Sequence, residues 1–225
     1  MDVERQSPLK IGWEAVKVNV VPMVVLWVTA TFLVIAYYTI PAVTTALEPM
    51  LRWQKESGYM AAALNRAVFY GLLPGAFQIL LRTIRPKRPF VTISAQSLWC
   101  AAFGVLTDAL YRTMSALFGD GTDIVTLVVK TLINQFVWTA FVGAPANATF
   151  YFWVARDFSI FRTCVEWPHD FVHGVVLPNL LSNWCVWIPV NMAVFSLPLP
   201  LQVQVSGMVG SFWTLMCIQI GAHSR

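Results

Sequence analysis

Few side chains in this 225-residue sequence are equipped for chemistry. Asp108 and Arg112 stand four residues apart with the acid ahead of the base, the order that closes an ion pair across one helical turn. Apolar sequence surrounds them, which puts the pair at membrane depth. Ionisable groups there are expensive and commonly belong to transport pathways. The amides Asn134, Gln135, Asn147, Asn183 and Asn191 also sit in apolar runs, with Gln78 and Gln96 as weaker candidates. An amide left without a partner in hydrocarbon costs several kcal/mol, so these residues must face one another or water. Two readings stay open. They line a narrow aqueous path through a helical bundle, or they are interhelical glue worth about 0.6 kcal/mol apiece. Asn134 and Gln135 are neighbours and diverge by ~100° on a regular helix, so that one can line a lumen while the other bonds an adjacent helix.

The one group suggestive of metal chemistry is Glu166, His169, Asp170 and His173, whose two histidines at i,i+4 would share a helical face. Pro168 breaks the helix that this requires, and the chain has only three histidines. The segment reads better as an interfacial polar face anchored by Trp167 and Phe171. No Ser-His-Asp arrangement or phosphate-cradling glycine loop is present. No catalytic residue, metal site or cofactor is therefore expected. Cys100, Cys164, Cys185 and Cys217 form no CxxC pair, and they favour neither a disulfide framework nor a zinc site.

The elements that must position these groups follow from composition. Charged residues make up 12% of the chain and apolar ones 57%, about half the charged share of a soluble domain. Lipid must take up the excess apolar surface, giving an all-α, polytopic membrane helical bundle. Residues 1–17 read as a retained cytoplasmic N-terminal segment. The uncharged run Val18 to Leu47 is long enough for an additional N-terminal transmembrane helix, and Leu51 to Arg66 reads as a polar interfacial connector. A second span centres on Ala67 to Leu81, where Gly71 and Gly75 form a GxxxG that admits another helix closely. Four basic residues between Arg82 and Arg88 hold that loop in the cytoplasm by the positive-inside effect, or else bind anionic lipid. The third span covers about Phe90 to Phe118, and Gly119 to Asp123 supplies a glycine stop and a Thr122 or Asp123 cap. The fourth covers Thr131 to Ala155. From Gly174 to Ala222 no charge occurs, enough for two spans with Pro198 and Pro200 at the turn. Six spans put both termini in the cytoplasm.

Beyond hydropathy, Asn183-Trp184-Cys185-Val186-Trp187-Ile188-Pro189 resembles the NW-x-VWP signature of the family named for the Mpv-seventeen protein and the twenty-two-kilodalton peroxisomal membrane protein. Pro200 to Val205 is similar to that family's PLQYRV stretch, and Trp213 stands where it has a final-helix tryptophan. Lys130 with Asn134 to Val137 resembles its K-x-x-x-DQ-x-V helix start, and Tyr111 to Gly121 its WYR-type second helix. Asn134 replaces the family's Asp and Asn191 a Gln, Pro189 comes one residue late, and the linker from Phe195 to Pro200 is longer. The resemblance covers roughly Tyr59 to Ile220, and it implies a family-like membrane core over 59–222 with the first span added to it.

The resemblance implies a channel-like protein of the mitochondrial inner membrane or the peroxisome. The lack of a transit peptide and the departures from the motif instead favour a bacterial inner membrane. Two function classes remain: a pore or carrier for small polar solutes, anions or metabolites, and a non-conducting scaffold or accessory subunit linked to membrane homeostasis. The expected partners are the lipid bilayer and small polar solutes, with a second copy of the chain as a further candidate and no nucleic acid.

Overall fold

Proline bends the first apolar run. Ile40 precedes Pro41, and a residue in that place is pushed out of the helical region; it adopts φ −114 and ψ 102. The computed structural model, which describes residues 13, 17, 20–80 and 87–223, therefore has a helix α1 (Val20–Thr39) that stops short of Leu47 and a helix α2 (Pro41–Ser57). Their axes turn by 102° at the break. The Thr44 hydroxyl spans the corner by donating to the Tyr37 carbonyl at 2.7 Å. The single helix expected over Val18 to Leu47 is thus two.

Gly58, at φ 51, reverses the chain into α3 (Tyr59–Arg66), which runs through a π-helical turn (Ala67–Leu72) into α4 (Leu73–Leu80). Next comes α5 (Pro89–Phe118), begun by a proline in its first turn and ended by Gly119 at φ 73. Asp123 accepts a hydrogen bond from the Thr126 backbone N–H at 3.0 Å and starts α6 (Ile124–Leu132). This helix continues through a long π-helical stretch (Ile133–Gly143) into α7 (Ala144–Val154). The short α8 (Ile160–Val165), a π-helical turn (Val172–Val176), α9 (Leu177–Phe195) and α10 (Leu199–His223) complete the order. The break at Ser196 to Pro198 falls where the paired prolines suggest a turn.

The fold is all-α, with no strand among the described residues. Two helices are long and apolar enough to cross a membrane, Pro89–Phe118 and Ile124–Val154, and the bent α1 and α2 pair brings the number to up to three. Two packing seams organise the bundle. In the first, α3 and α4 run antiparallel to α5, and small residues let the backbones meet. A Cβ on Gly71 would lie 2.5 Å from the Cα of Ser97, and one on Gly104 would lie 2.4 Å from the Ala62 carbonyl oxygen. Gly75 fits against Ile93 in the same seam. In the second seam, α9 packs on α1 and α10. It buries Val186, Val190 and Val194 completely, beside Trp187, Phe195 and Leu201. The Trp27 indole N–H of α1 donates to the Val186 carbonyl at 3.2 Å and fixes the register of that seam.

Leu51 to Arg66 does more than connect. Gln54, Ala61, Ala62 and Asn65 are buried where α2 and α3 pack against α5 and α10, while Arg52, Lys55 and Glu56 stay exposed.

Candidate functional site

Two buried polar groups occupy the bundle. The first is a chain of side chains ending on Asp108. Arg112 Nε donates to Asp108 Oδ2 at 2.8 Å, the i,i+4 pair that the spacing suggests. From α2, Gln54 Nε2 approaches Asp108 Oδ1 at 3.5 Å. From α10, Gln204 Nε2 donates to Gln54 Oε1 at 2.6 Å, and from α3, Asn65 Nδ2 donates to Gln204 Oε1 at 2.6 Å. Each side-chain bond in the chain runs toward the carboxylate, and Gln54 Nε2 also donates to the Gly58 carbonyl at 3.3 Å, so four helices are tied to one negative charge. Asp108, Gln54, Gln204 and Asn65 are buried, whereas the Arg112 side chain remains 43% exposed over the Tyr59 ring. The Asn65 oxygen is buried with no hydrogen-bond partner among the described residues and lies against Gly207, where an added Cβ would be 1.9 Å away. The next residue, Arg66, stacks over Tyr70 at 4.3 Å, and the Tyr70 hydroxyl donates to the Ser206 carbonyl at 3.0 Å. This end of the bundle is closed by packing as well as by hydrogen bonds.

The second group is smaller. Asn134 Oδ1 accepts from Gln135 Nε2 at 2.8 Å and from Asn191 Nδ2 of α9 at 2.7 Å. Asn134 and Gln135 lie in the π-helical stretch Ile133–Gly143, and their side chains bond each other rather than serving separate partners. All three residues are buried. Beneath them the Trp184 indole N–H donates to the Gln135 backbone carbonyl at 3.1 Å, and its ring packs on Phe136. Here the hydrogen bonding is incomplete. Gln135 Oε1, Asn191 Oδ1 and the neighbouring Thr131 hydroxyl are buried with no hydrogen-bond partner among the described residues. Native proteins leave few such atoms without a water, ion or ligand.

The other intramembrane candidates lie outside these two groups. Asn147 Oδ1 accepts from the Trp99 indole N–H at 2.9 Å, which ties α7 to α5. Asn183 is half-buried, and its side-chain oxygen lacks a hydrogen-bond partner among the described residues. Trp187 is in the core, Pro189 is exposed within α9, and Gly71 and Gly75 lie in the α3–α5 seam. The side chains of Gln78 and Trp213, together with Arg82 and Arg85 of the basic loop and most of Met1 to Lys17, fall outside the described residues.

Sequence reasoning missed the buried roles of Gln54, Asn65 and Gln204, and named Lys130 only as part of the family-like helix start. Lys130 is 1% exposed, with Nζ 3.8 Å from Asp120 Oδ1 in the preceding loop. Its signal was its place one turn before Asn134 in an apolar helix. Gln204 had a comparable signal, as one of the few polar side chains in the uncharged run after Gly174.

At the ends of the spans the charges pair off. Lys87 Nζ bonds Asp157 Oδ2 at 2.7 Å and holds that carboxyl below its ordinary range. Asp157 and Phe158 have left-handed backbone angles, φ 54 and φ 62. The four residues considered for metal binding separate into pairs. Glu166 meets Arg156 at 3.0 Å and Asp170 meets His173 at 2.7 Å, and no group of three or more potential ligands converges among the described residues. His169, Asp170 and His173, but not Glu166, line an open groove with Cys164, Trp167 and Phe171. No family model matches the chain, and comparison with curated proteins and with solved structures likewise gives no match.

Proposed function

We propose that this chain is an integral membrane channel that passes small polar solutes, anions or metabolites with weak selectivity. The observation that carries the reading is the incompletely bonded amide group, Asn134, Gln135 and Asn191 with Thr131, lying between α6, its π-helical continuation and α9. Three unpartnered oxygens in hydrocarbon would be expensive, and an aqueous path beside them removes that cost. With few fixed charges nearby, such a path sorts solutes mainly by size. Lys87 and Arg88 at its cytoplasmic mouth, with Arg85, would give an anion bias that fades as salt screens it.

The same proposal includes six spans, with the N-terminal segment and the 82–88 loop in the cytoplasm. It also includes membership of the Mpv-seventeen family on the strength of the NWCVW segment, and a bacterial inner membrane as the host. Planar-bilayer recording of purified protein with polymers of graded size tests it. The expected result is a weakly selective conductance blocked by the smaller polymers. Silence at every voltage, pH and redox condition rejects it.

A second reading rests on the other polar group. The chain from Asn65 through Gln204 and Gln54 to Asp108 is bonded at every step, as befits a strut in a non-conducting scaffold. Solute flux separates the two readings.

A further inference from the structure

Lys87 and Asp157 stand 70 residues apart, and their bridge at 2.7 Å pins the start of α5 to the turn between α7 and α8. Two further bases come with that contact, Arg88 beside Lys87 and Arg162 in α8. The hydrogen bond from Lys87, and then the charges of Lys87, Arg162 and Arg88, hold the Asp157 carboxyl below its ordinary range. Three bases thus share one carboxylate, and only Lys87 is bonded to it. The remaining base of the region, Arg156, is bridged to Glu166. Arg88 and Arg162 are exposed, and their guanidinium groups make no hydrogen bond or ion pair among the described residues.

Exposed apolar side chains flank both of these free bases. Phe90, two residues after Arg88, is 84% exposed, and Phe161, next to Arg162, is 78% exposed. Ile160 and Val165 of the same short helix are exposed as well. A free phosphate would satisfy the guanidinium groups and leave the rings uncovered. A zwitterionic lipid would cover the rings but bring an ammonium to a patch that is already positive. A phospholipid whose headgroup is net negative meets both demands, with its phosphate on the bases and its chains on the rings.

We propose that Arg88 and Arg162 hold the phosphate of an anionic phospholipid from the adjoining leaflet, whose acyl chains lie on Phe90 and Phe161. The site requires that the chain sit in a membrane and does not require that it conduct. A lipid seated there would neutralise part of the charge at the mouth that the channel reading places at Lys87 and Arg88, so the anion bias should be strongest in bilayers of neutral lipid.

Native mass spectrometry of the full chain released from nonionic micelles counts bound lipid against three probes. They are phosphatidylglycerol, phosphatidylcholine with the same chains, and glycerol phosphate as a headgroup without chains. Phosphatidylglycerol should form a saturable first adduct about tenfold tighter than phosphatidylcholine does, and glycerol phosphate should not displace it. Arg88→Gln and Arg162→Gln should each weaken that adduct about fivefold, with Arg162→Lys keeping most of the affinity. Phe90→Ser combined with Phe161→Ser should weaken both lipids alike. Arg52→Gln, at an exposed base in α2, should change nothing. Wild-type protein supplies a reading free of substitutions, since its preference for phosphatidylglycerol should shrink as ammonium acetate rises from about 0.1 M to about 1 M and the screening length falls from about 10 Å to about 3 Å. Equal binding of the two lipids, displacement by glycerol phosphate, a preference indifferent to salt, or an unchanged first adduct in the folded Arg88→Gln and Arg162→Gln double variant overturns the proposal. Lipid held by protein that passes no solute sinks the channel reading and leaves this site standing, and conductance without a preferred lipid does the reverse.

Discussion

The two buried polar groups are made of similar residues and differ in completeness. In the Asp108 chain, each amide nitrogen donates and the next amide or the carboxylate receives, so the dipoles align toward one charge. In the Asn134 group, two nitrogens compete for one oxygen, and the oxygens of their own amides are left over. Amide content alone therefore does not tell a strut from a site. The balance of donors and acceptors does. An aligned chain consumes most of its own hydrogen-bonding capacity and leaves only Asn65 Oδ1 over, whereas a group that converges on one acceptor exports a larger surplus to whatever lies beside it.

The largest effect that should distinguish them comes from Arg112→Gln, which strands the buried Asp108 carboxylate with Gln54 alone. A loss of about 3 kcal/mol is expected, at the low end for a buried pair because Arg112 is partly exposed. Asp108→Asn, which leaves a half-exposed guanidinium free to reach water, should cost about 1 kcal/mol. Denaturant unfolding in mixed micelles measures both. Equal losses would mean that burial does not separate the partners.

Next in size, Gln204→Leu should destabilise by about 2 kcal/mol, because it strands Asn65 Nδ2 and Gln54 Oε1 together. Gln135→Leu in the incomplete group should cost under about 1 kcal/mol. If the order of those two melting shifts reverses, the contrast between the groups fails.

Smaller still in stability is Asn134→Asp, since a carboxylate can accept the same two N–H bonds at 2.7 and 2.8 Å. Stability should stay within about 0.5 kcal/mol, while reversal potentials in asymmetric salt shift toward cations.

The smallest effect lies outside both groups. Lys87 holds the Asp157 carboxyl below its ordinary value, so the bridge contributes at every pH above the unfolded carboxylate range. That contribution disappears only as pH falls through the lower native value. An NMR titration of the Asp157 carboxyl carbon should show a midpoint below that of an unperturbed aspartate, moving upward in Lys87→Ala.

Much of this was legible from sequence. The Asp108 and Arg112 spacing gave the pair, and the isolation of Asn134, Gln135 and Asn191 in apolar runs set them apart as polar groups that need partners. The helix stop at Gly119 was also plain, and the cap was narrowed to Thr122 or Asp123, of which Asp123 serves. What escaped is the partner of Asp108. Gln54 lies in a segment whose Arg52, Lys55 and Glu56 make it read as interfacial, and only the proline-driven turn at Ile40 carries it inward. The bonding between Asn134 and Gln135 escaped for another reason. It depends on a π-helical stretch, and hydrophobic periodicity does not announce that geometry. Gln204 and Asn65 are paired across 139 residues, a relation that no local pattern encodes.

The central claim is that the Asn134 group is wet and the Asp108 chain is dry. Water-edited solid-state NMR on bilayer-reconstituted protein with nitrogen-labelled glutamine reads this without a substitution. Magnetisation from water should reach the Gln135 side-chain amide about as fast as it reaches exposed glutamines, and should reach Gln54 and Gln204 much more slowly. Transfer to Gln135 as slow as to Gln54 and Gln204 would contradict the account and leave both groups as interhelical glue.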